Sequence, residues 1–268
     1  MSLAAAYMFG RNQGVDVSDL ASLCTAEFDF EEVSGVSYKS SVNNAHILSQ
    51  GIRSTGTGID GGQGVFSNVN DFRTSLLPNA AFKSSRAVEF TKQIDGSIED
   101  VPFIFSCWIQ STGLDTTARF IVDNIDSTGS NDSHYRFIAQ SNFLSFIMSS
   151  SIGGTNPSFQ VTSTDRDFTN MKHICVIYNG LKNAPQAKFY TNGINTTQSN
   201  SNNNYIGMQA LNPGKFSLLN EWSGGDANNQ LNAVMDRLQI FKEIDYSKAD
   251  DYAKYLYNNG IGRLYPFN

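Results

Sequence analysis

Three carboxylates at alternate positions, Glu27, Asp29 and Glu31, have the spacing in this sequence that is best suited to catalysis. Phe28 and Phe30 lie between them. Side chains of a β-strand alternate between two faces, so the carboxylates would share one face and the aromatic rings the other. Two carboxylates facing one cleft are what a retaining glycosidase requires. The stretch is therefore either an active site or the first strand of a domain that only binds.

The surroundings of this stretch favour binding over catalysis. A cleft that cleaves polysaccharides usually has aromatic platforms for sugar rings, but the two tryptophans, Trp108 and Trp222, are distant in sequence. No Gly-x-Ser-x-Gly motif offers a serine nucleophile. We therefore expect a protein that is not an enzyme, and we rank a glycoside hydrolase that uses the three carboxylates last. We expect Phe28 and Phe30 to enter the core, and the carboxylates to face solvent, a partner or the rim of the domain.

The composition argues against two classes of partner. The chain has 268 residues and a net charge of −6. This acidic balance argues against binding to nucleic acid or to an anionic membrane surface. No apolar run reaches the length of about 18 residues that a membrane span needs, so we expect no membrane insertion. Charged residues make up 16% of the chain, against about 25% in an average soluble protein, so the polar surface must come from Ser, Asn, Thr, Gly and Gln.

Short strand patterns recur along the chain and become regular from residue 86. Turn-forming residues separate them at intervals of roughly ten residues, which predicts an antiparallel sandwich or jelly roll. One helix is predicted near the C-terminus, with Ser247 as its N-cap and Gly260 as its stop. We expect one domain over residues 22–268 and an N-terminal arm over residues 1–21. The strand patterns are "RAVEFTK", "PFIFSCWIQ", "ARFIVDN", "YRFIAQ", "FLSFIMSS", "SFQVTS", "KHICVIYNG", "AKFYTNG", "FSLLNEW" and "DRLQIFKE".

The three cysteines, Cys24, Cys107 and Cys175, lie in apolar runs. An odd number without metal-ligand spacing does not form a disulfide framework or a metal site. We expect all three to be small buried apolar side chains. His173 also lies among apolar neighbours on a predicted strand, which favours a structural histidine over a metal ligand.

Several of these segments, in this order, resemble the laminin-G-like branch of the concanavalin A-like lectin/glucanase superfamily. "FDFEEVSG" resembles its opening strand and turn, "PFIFSCWIQ" its central strand, and "MKHICVIYNG" its Trp-x-His strand, although Met171 replaces the Trp. "AKFYTNG", "VMDRLQIFKE" and "SKADDYAKYLYNNG" resemble its hairpin, last strand and closing helix. The resemblance implies an all-β jelly-roll sandwich of two antiparallel sheets with one short C-terminal helix. It does not by itself imply a function, because this fold hosts lectins, adhesion modules, enzymes and capsid parts.

The same resemblance implies a calcium site at the rim of the sandwich. Asp236, at the start of the last strand, would supply a carboxylate, and backbone carbonyls around Phe30 would supply further oxygens. Calcium prefers six to eight oxygen ligands, including backbone carbonyls. We favour a structural hydrogen bond for Asp236 and keep calcium as the alternative; no cofactor is certain.

Two non-enzymatic functions stay open. The first is a structural protein of a virus or phage particle, either a decoration or a receptor-binding fibre component, located on the virion. Residues 1–21 would then dock onto other virion proteins or copies of the same chain, because "MSLAAAYMFG" is too apolar for a free tail. The alternative is a soluble extracellular lectin module, in which exposed Tyr135, Tyr205 and Trp222 would stack on a cell-surface glycan. The two functions can coexist in a receptor-binding particle protein.

Overall fold

The computed structural model describes residues 17–30, 37–39, 42, 47–49, 55–57, 63–67, 82–84, 90–111, 119–125, 133–140, 143–150, 157–208, 215–219, 231 and 233–262. The strands are β1 (Cys24–Phe28), β2 (Ser37–Lys39), β3 (Ile47–Ser49), β4 (Thr55–Thr57), β5 (Gln63–Ser67), β6 (Phe82–Ser84), β7 (Thr91–Ile94), β8 (Ser97–Asp100), β9 (Phe103–Ser111), β10 (Arg119–Ile125), β11 (Ser133–Gln140), β12 (Phe143–Ser149), β13 (Ser158–Ser163), β14 (Lys172–Tyr178), β15 (Ala187–Thr191), β16 (Ile194–Asn195), β17 (Thr197–Asn203), β18 (Lys215–Leu218) and β19 (Ala233–Lys242). The helices are α1 (Leu20–Leu23) and α2 (Ala249–Tyr257), with 3-10 turns at Tyr246–Lys248 and Asn258–Gly260.

Two antiparallel sheets contain most of these strands. Sheet A has the order β16-β15-β14-β9-β19-β5-β4, and β1 also pairs with β19. Sheet B has the order β17-β13-β12-β11-β10-β18-β6-β3-β2. The hairpin β7–β8 forms a small third sheet. The predicted all-β jelly-roll sandwich of two antiparallel sheets with a short C-terminal helix is confirmed.

The main core lies between the two sheets and follows from the period of two along the strands. In β9 the alternate residues Phe103, Phe105, Cys107 and Ile109 enter this core. Strands of sheet B alternate in the same way, so every second residue of each strand faces sheet A. Phe105 and Phe137 pack edge to face across the core at 5.9 Å between ring centroids, an arrangement that aromatic pairs favour.

A second apolar cluster covers the outer face of sheet A, the face that points away from sheet B. Ile104, Cys175 and Ile177 on this face pack with Tyr252 and other buried residues of α2. Leu20 of α1 joins the same cluster. Residues 17–21, the described part of the predicted arm, therefore pack in part on their own domain. Residues 1–16 lie outside the described residues.

Side chains of β17 link the two sheets at one edge. The backbone N–H groups of Ala187 and Phe189 in β15 donate to Asn200 Oδ1 at 2.9 Å and to Thr197 Oγ1 at 2.8 Å. Buried backbone donors carry a large penalty when they have no partner. The polar sequence of β17 thus satisfies donors of sheet A while its backbone pairs with β13 in sheet B.

Local signals in the sequence explain the hairpin and the helix. Asn192 and Gly193 both have positive φ, 49° and 72°, in the two-residue turn between β15 and β16, as a type I′ turn requires. The predicted helix is present, but Ser247 does not cap it: Ser247 lies in the preceding 3-10 turn, where Asp245 Oδ1 accepts from the N–H of Ser247 at 3.0 Å. The chain leaves the helix at Asn258, which is left-handed with a φ of 46°.

The three cysteines are free and buried, as the sequence predicted. Within the described ranges, no helix has the length and apolar character needed to span a bilayer.

Candidate functional site

The opening strand buries Glu27, the first of the three alternating carboxylates. Phe28 and Phe30 enter the core as predicted, each with 1% of its surface exposed. Glu27 was expected to face solvent, a partner or a rim, but it is 1% exposed, and its Oε1 accepts from Gln239 Nε2 on β19 at 2.7 Å. The reason is that the outer face of sheet A belongs to the second apolar cluster and is not a solvent face. Asp29 is half-buried, and Glu31 lies outside the described residues.

The predicted calcium ligands lie where β19 changes partners. The first part of β19 pairs with β5 and its last part with β1, and a bulge separates Asp236 from Gln239. Asp236 is buried, and its Oδ1 accepts from the N–H of Arg237 at 2.7 Å. Phe30 has a φ of 58° and follows β1, whose Phe28 pairs with Leu238. Among the described residues, no group of three or more His, Cys, Asp and Glu is arranged to hold a metal, so calcium at Asp236 and Phe30 stays a prediction.

His173 lies under the end of α2, in contact with two aromatic rings. Its ring centroid is 5.4 Å from that of Trp108 and 6.1 Å from that of Tyr257. Its Nε2 lies 2.8 Å from Ser106 Oγ, and its Nδ1 has no hydrogen-bond partner among the described residues. Burial lowers the pKa of the imidazole to about 3. His173 is therefore a neutral structural residue, as predicted, although only one of its ring nitrogens is satisfied.

The predicted sugar-stacking tyrosines are buried, so the expectation that they are exposed is wrong. Tyr135 is 3% exposed because it shares the inward face of β11 with Phe137, and its ring packs on Phe90 at 4.9 Å. Tyr205 is 4% exposed and donates its hydroxyl to Asp100 Oδ2 at 2.7 Å. Trp222 lies outside the described residues.

Asp100 organises one end of the sandwich. Its Oδ2 also accepts from Tyr178 OH at 2.8 Å, and its Oδ1 accepts from the N–H of Met208 at 2.9 Å. Burial raises the pKa of this carboxyl group, although these hydrogen bonds oppose the shift. The network holds the segment after β17 against the rest of the domain and leaves the tyrosine hydroxyls no role at the surface.

An open depression of about 390 Å³ lies on the outer face of sheet B. It is formed by β12, β13, β17 and the segment between β13 and β14, and its floor follows from strand alternation. In β13, Phe159 and Val161 enter the core, so Gln160 and Thr162 point to the opposite face. The lining residues are Phe143, Gln160, Thr162, Arg166, Gln198 and Ser199.

The depression combines one aromatic ring with polar groups that carry little formal charge. Phe143 is half-buried at its edge, whereas Arg166, Gln198 and Ser199 are exposed. Thr162 Oγ1 and Ser199 Oγ lie 2.7 Å apart across the β13–β17 pair. Concave sites with an apolar wall and a few oriented polar groups are typical of small-ligand binding.

Two further polar features lie on the same face of sheet B. Ser145 is the register partner of Thr162; it is fully buried, and within the described part of the chain its hydroxyl has no hydrogen-bond partner. Arg136 Nε donates to Asp123 Oδ1 at 3.0 Å, and this ion pair lies on the row of register partners that leads through β12 to Gln160. The acidic group of this row is therefore already paired.

Local sequence patterns do not reveal this depression. The alternation in "SFQVTS" predicts that Gln160 and Thr162 face away from the core. It does not predict that Ser199, in β17, becomes their neighbour, because 37 residues separate Thr162 from Ser199.

Several solved structures have a similar fold. The binding domain of Paraclostridial Mosquitocidal Protein 1 is 16% identical, with a TM-score of 0.63; the match covers 89% of this chain and 52% of that chain. A structure of botulinum neurotoxin type C, whose cell entry depends on two ganglioside molecules, is 13% identical, with a TM-score of 0.55 and coverages of 91% and 52%. The chain thus spans about half the length of these toxin fragments.

A third similar structure is domain 4 of AbnA, a GH43 extracellular arabinanase from Geobacillus stearothermophilus, in complex with arabinotriose. It is 12% identical, with a TM-score of 0.50, and the match covers 86% of this chain and 98% of that domain. No curated protein matches the sequence. At these identities the similarity shows the fold alone.

The family is shown by sequence. Residues 83–244, more than half of the chain, match Laminin_G_3, a family of the concanavalin A-like lectin/glucanases superfamily. The matched region runs from β6 to the end of β19 and therefore includes the depression on sheet B. This protein belongs to the Laminin_G_3 family of the concanavalin A-like lectin/glucanases superfamily.

Proposed function

We propose that this protein is a non-enzymatic carbohydrate-binding protein and that its site is the depression on the outer face of sheet B. The observation that carries the proposal is the position of Phe143 beside the amides of Gln160 and Gln198 and the hydroxyls of Thr162 and Ser199. An aromatic ring packs on the apolar face of a sugar, and amides and hydroxyls can both donate to and accept from sugar hydroxyls. The depression is open, as a site for one or two residues of a longer chain requires.

The chemistry of the lining supports binding without turnover. The described residues that line the depression include no carboxylate, histidine or cysteine. Glycoside hydrolysis normally needs a carboxylate pair, with one member acting as a general acid. Glu27 does not supply this chemistry, because it is buried on the other sheet. The arabinotriose bound to the similar domain 4 of AbnA is consistent with binding by this fold.

Two further proposals, based on the sequence, concern additional ligand contacts. Trp222 is proposed as a further aromatic contact for a glycan. Calcium at Asp236 and the carbonyl of Phe30 is the alternative to a structural role of Asp236. Tyr135 and Tyr205 are buried and are therefore not available to stack on a glycan.

The setting that we propose is the surface of a virus or phage particle, with an extracellular lectin as the alternative. The support is the low charged fraction of 16% and the uncharged, exposed strand β17, "TQSNSNN". Residues 1–21 would contact other virion proteins or copies of this chain. Immunogold labelling of purified particles tests this setting, and protein found only as free monomers in the culture medium would contradict it.

The binding proposal is tested with a glycan array followed by calorimetry on the glycans that bind. We expect Phe143→Ala and Gln160→Ala each to weaken binding about fivefold or more, which corresponds to roughly 1 kcal/mol per contact. Leu181→Ala and Gln93→Ala are matched controls, since both residues are exposed and lie outside the depression. The proposal fails if no glycan binds, or if the control and site variants bind as the unmodified protein does.

A further inference from the structure

Arg166 differs from the other lining residues because it carries a charge that nothing in the described structure neutralises. It is exposed at the edge of the depression. Within the described part of the chain, its guanidinium makes no hydrogen bond and no ion pair. A guanidinium has five N–H donors in a planar fork that matches the two oxygens of a carboxylate.

The acidic residues next to Arg166 are engaged elsewhere. Lys172 Nζ donates to both carboxylate oxygens of Asp165, at 3.0 and 3.1 Å. Asp167 Oδ1 accepts from the N–H of Thr169 at 3.0 Å and from its hydroxyl at 2.7 Å. These bonds hold the pKa of Asp167 below its usual range. The segment thus satisfies its own carboxylates internally and leaves its arginine available.

The described part of the lining offers no competing acid. Gln160 and Gln198 carry neutral amides. Carboxylates at these two positions would have neutralised the charge of Arg166. The nearest acid along the sheet row, Asp123, is paired with Arg136. The net charge of −6 of the whole chain opposes an anionic ligand only weakly, because distant exposed charges are screened beyond about 8–10 Å at physiological salt.

We propose that the depression selects acidic glycans, with Arg166 binding the carboxylate of a sialic or uronic acid residue. This inference rests on the proposed carbohydrate-binding function and specifies its substrate class. Phe143 contacts the sugar ring, and the Thr162–Ser199 hydroxyl pair lies within the same depression for the ring hydroxyls. Arg166 is then the residue that determines specificity, whereas Phe143 and Gln160 provide contacts that neutral sugars also use.

Calorimetry with two pairs of probes tests the inference. The first pair is sialyllactose and lactose; the second is trigalacturonate and the same trisaccharide with its carboxyl groups reduced to alcohols. We expect the acidic member of at least one pair to bind about tenfold tighter at low salt, as a charge-assisted bidentate contact predicts. Added salt should reduce this preference. Arg166→Gln should remove the preference without changing the affinity for the neutral member, and Arg166→Lys should keep part of it.

The outcomes separate this inference from the function on which it rests. Lys92→Gln is the matched control, because it removes an exposed cation outside the depression; it should keep the preference. Equal binding of acidic and neutral probes that Phe143→Ala weakens would overturn the inference and leave carbohydrate binding intact. The inference would likewise be overturned, with carbohydrate binding left intact, if Arg166→Gln retains the preference for the acidic probe or if sulfated lactose binds better than sialyllactose. Failure of every probe, acidic and neutral, would overturn the inference, and failure of the whole glycan array as well would overturn both.

Discussion

The side-chain amide of Gln239 donates a hydrogen bond of 2.7 Å to the carboxylate of Glu27, and this bond joins β19 to β1 where both side chains are buried. The two residues are register partners, although 212 positions separate them in sequence. The carboxylate that looked most like a catalytic group therefore helps to attach the opening strand to the last strand.

This pairing predicts a loss of stability without a loss of ligand binding. Glu27→Ala leaves a buried amide donor without its acceptor, which should lower the free energy of unfolding by about 1–3 kcal/mol. Glu27→Gln keeps an acceptor and should cost less. Urea denaturation followed by fluorescence measures both values, with Gln93→Ala as an exposed control. An alanine variant as stable as the unmodified protein would contradict the assigned role.

Two buried serines on central strands should respond in opposite ways to the same substitution. Ser145 has no hydrogen-bond partner, whereas Ser106 pairs with His173 at 2.8 Å. Ser145→Ala removes an unsatisfied hydroxyl and should be neutral or stabilising by up to about 1 kcal/mol, whereas Ser106→Ala should destabilise by about 1–3 kcal/mol. Thermal unfolding of the two variants, each compared with the unmodified protein, measures these changes in stability. Equal destabilisation would mean that the hydroxyl of Ser145 is satisfied in solution.

The buried imidazole of His173 predicts a specific loss of stability in acid. Its pKa in the folded protein is about 3, below the value of about 6.5 in an unfolded chain. Between these values the unfolded chain binds a proton that the folded protein does not. Stability should therefore fall as the pH decreases from about 6.5 towards 3, by up to about 1.4 kcal/mol per pH unit.

His173→Leu should remove this component. Carboxylates titrate in the same range, so the informative quantity is the difference in unfolding free energy between the two proteins at each pH. The difference should change with pH between about 6.5 and 3 and be constant above 7. A constant difference over the whole range would show that the imidazole takes up its proton in the folded state as readily as in the unfolded chain.

Substitution of Asp236 distinguishes a structural hydrogen bond from calcium binding. Its Oδ1 accepts from the N–H of Arg237, which has a φ of 45° at the bulge of β19. We expect Asp236→Ala to lower the unfolding free energy by about 1–3 kcal/mol, equally with calcium and with chelator. Calcium itself should leave the melting temperature unchanged. A calcium-dependent rise in melting temperature that Asp236→Asn abolishes would favour the calcium alternative instead.

The sequence determined the features that depend on neighbouring residues. Strand alternation predicted the inward positions of Phe28 and Phe30, and Asn192-Gly193 predicted the tight hairpin, because side-chain direction and turn geometry are local properties. The helix near the C-terminus was predicted for the same reason. Its N-cap was assigned to Ser247, which instead lies in a 3-10 turn that Asp245 caps, because the local pattern does not show that such a turn precedes the helix.

Tertiary structure alone decided which polar residues are buried and which form a site. Glu27 and Tyr205 are polar residues whose burial depends on partners far away in sequence, Gln239 and Asp100. The cluster on the outer face of sheet A covers the face that carries Glu27, whereas Tyr205 packs in the main core. The depression on sheet B exists because β17 returns to pair with β13 and places Ser199 beside Thr162. Periodicity assigns a side chain to a face of its own strand, but the pairing of distant strands determines what that face meets.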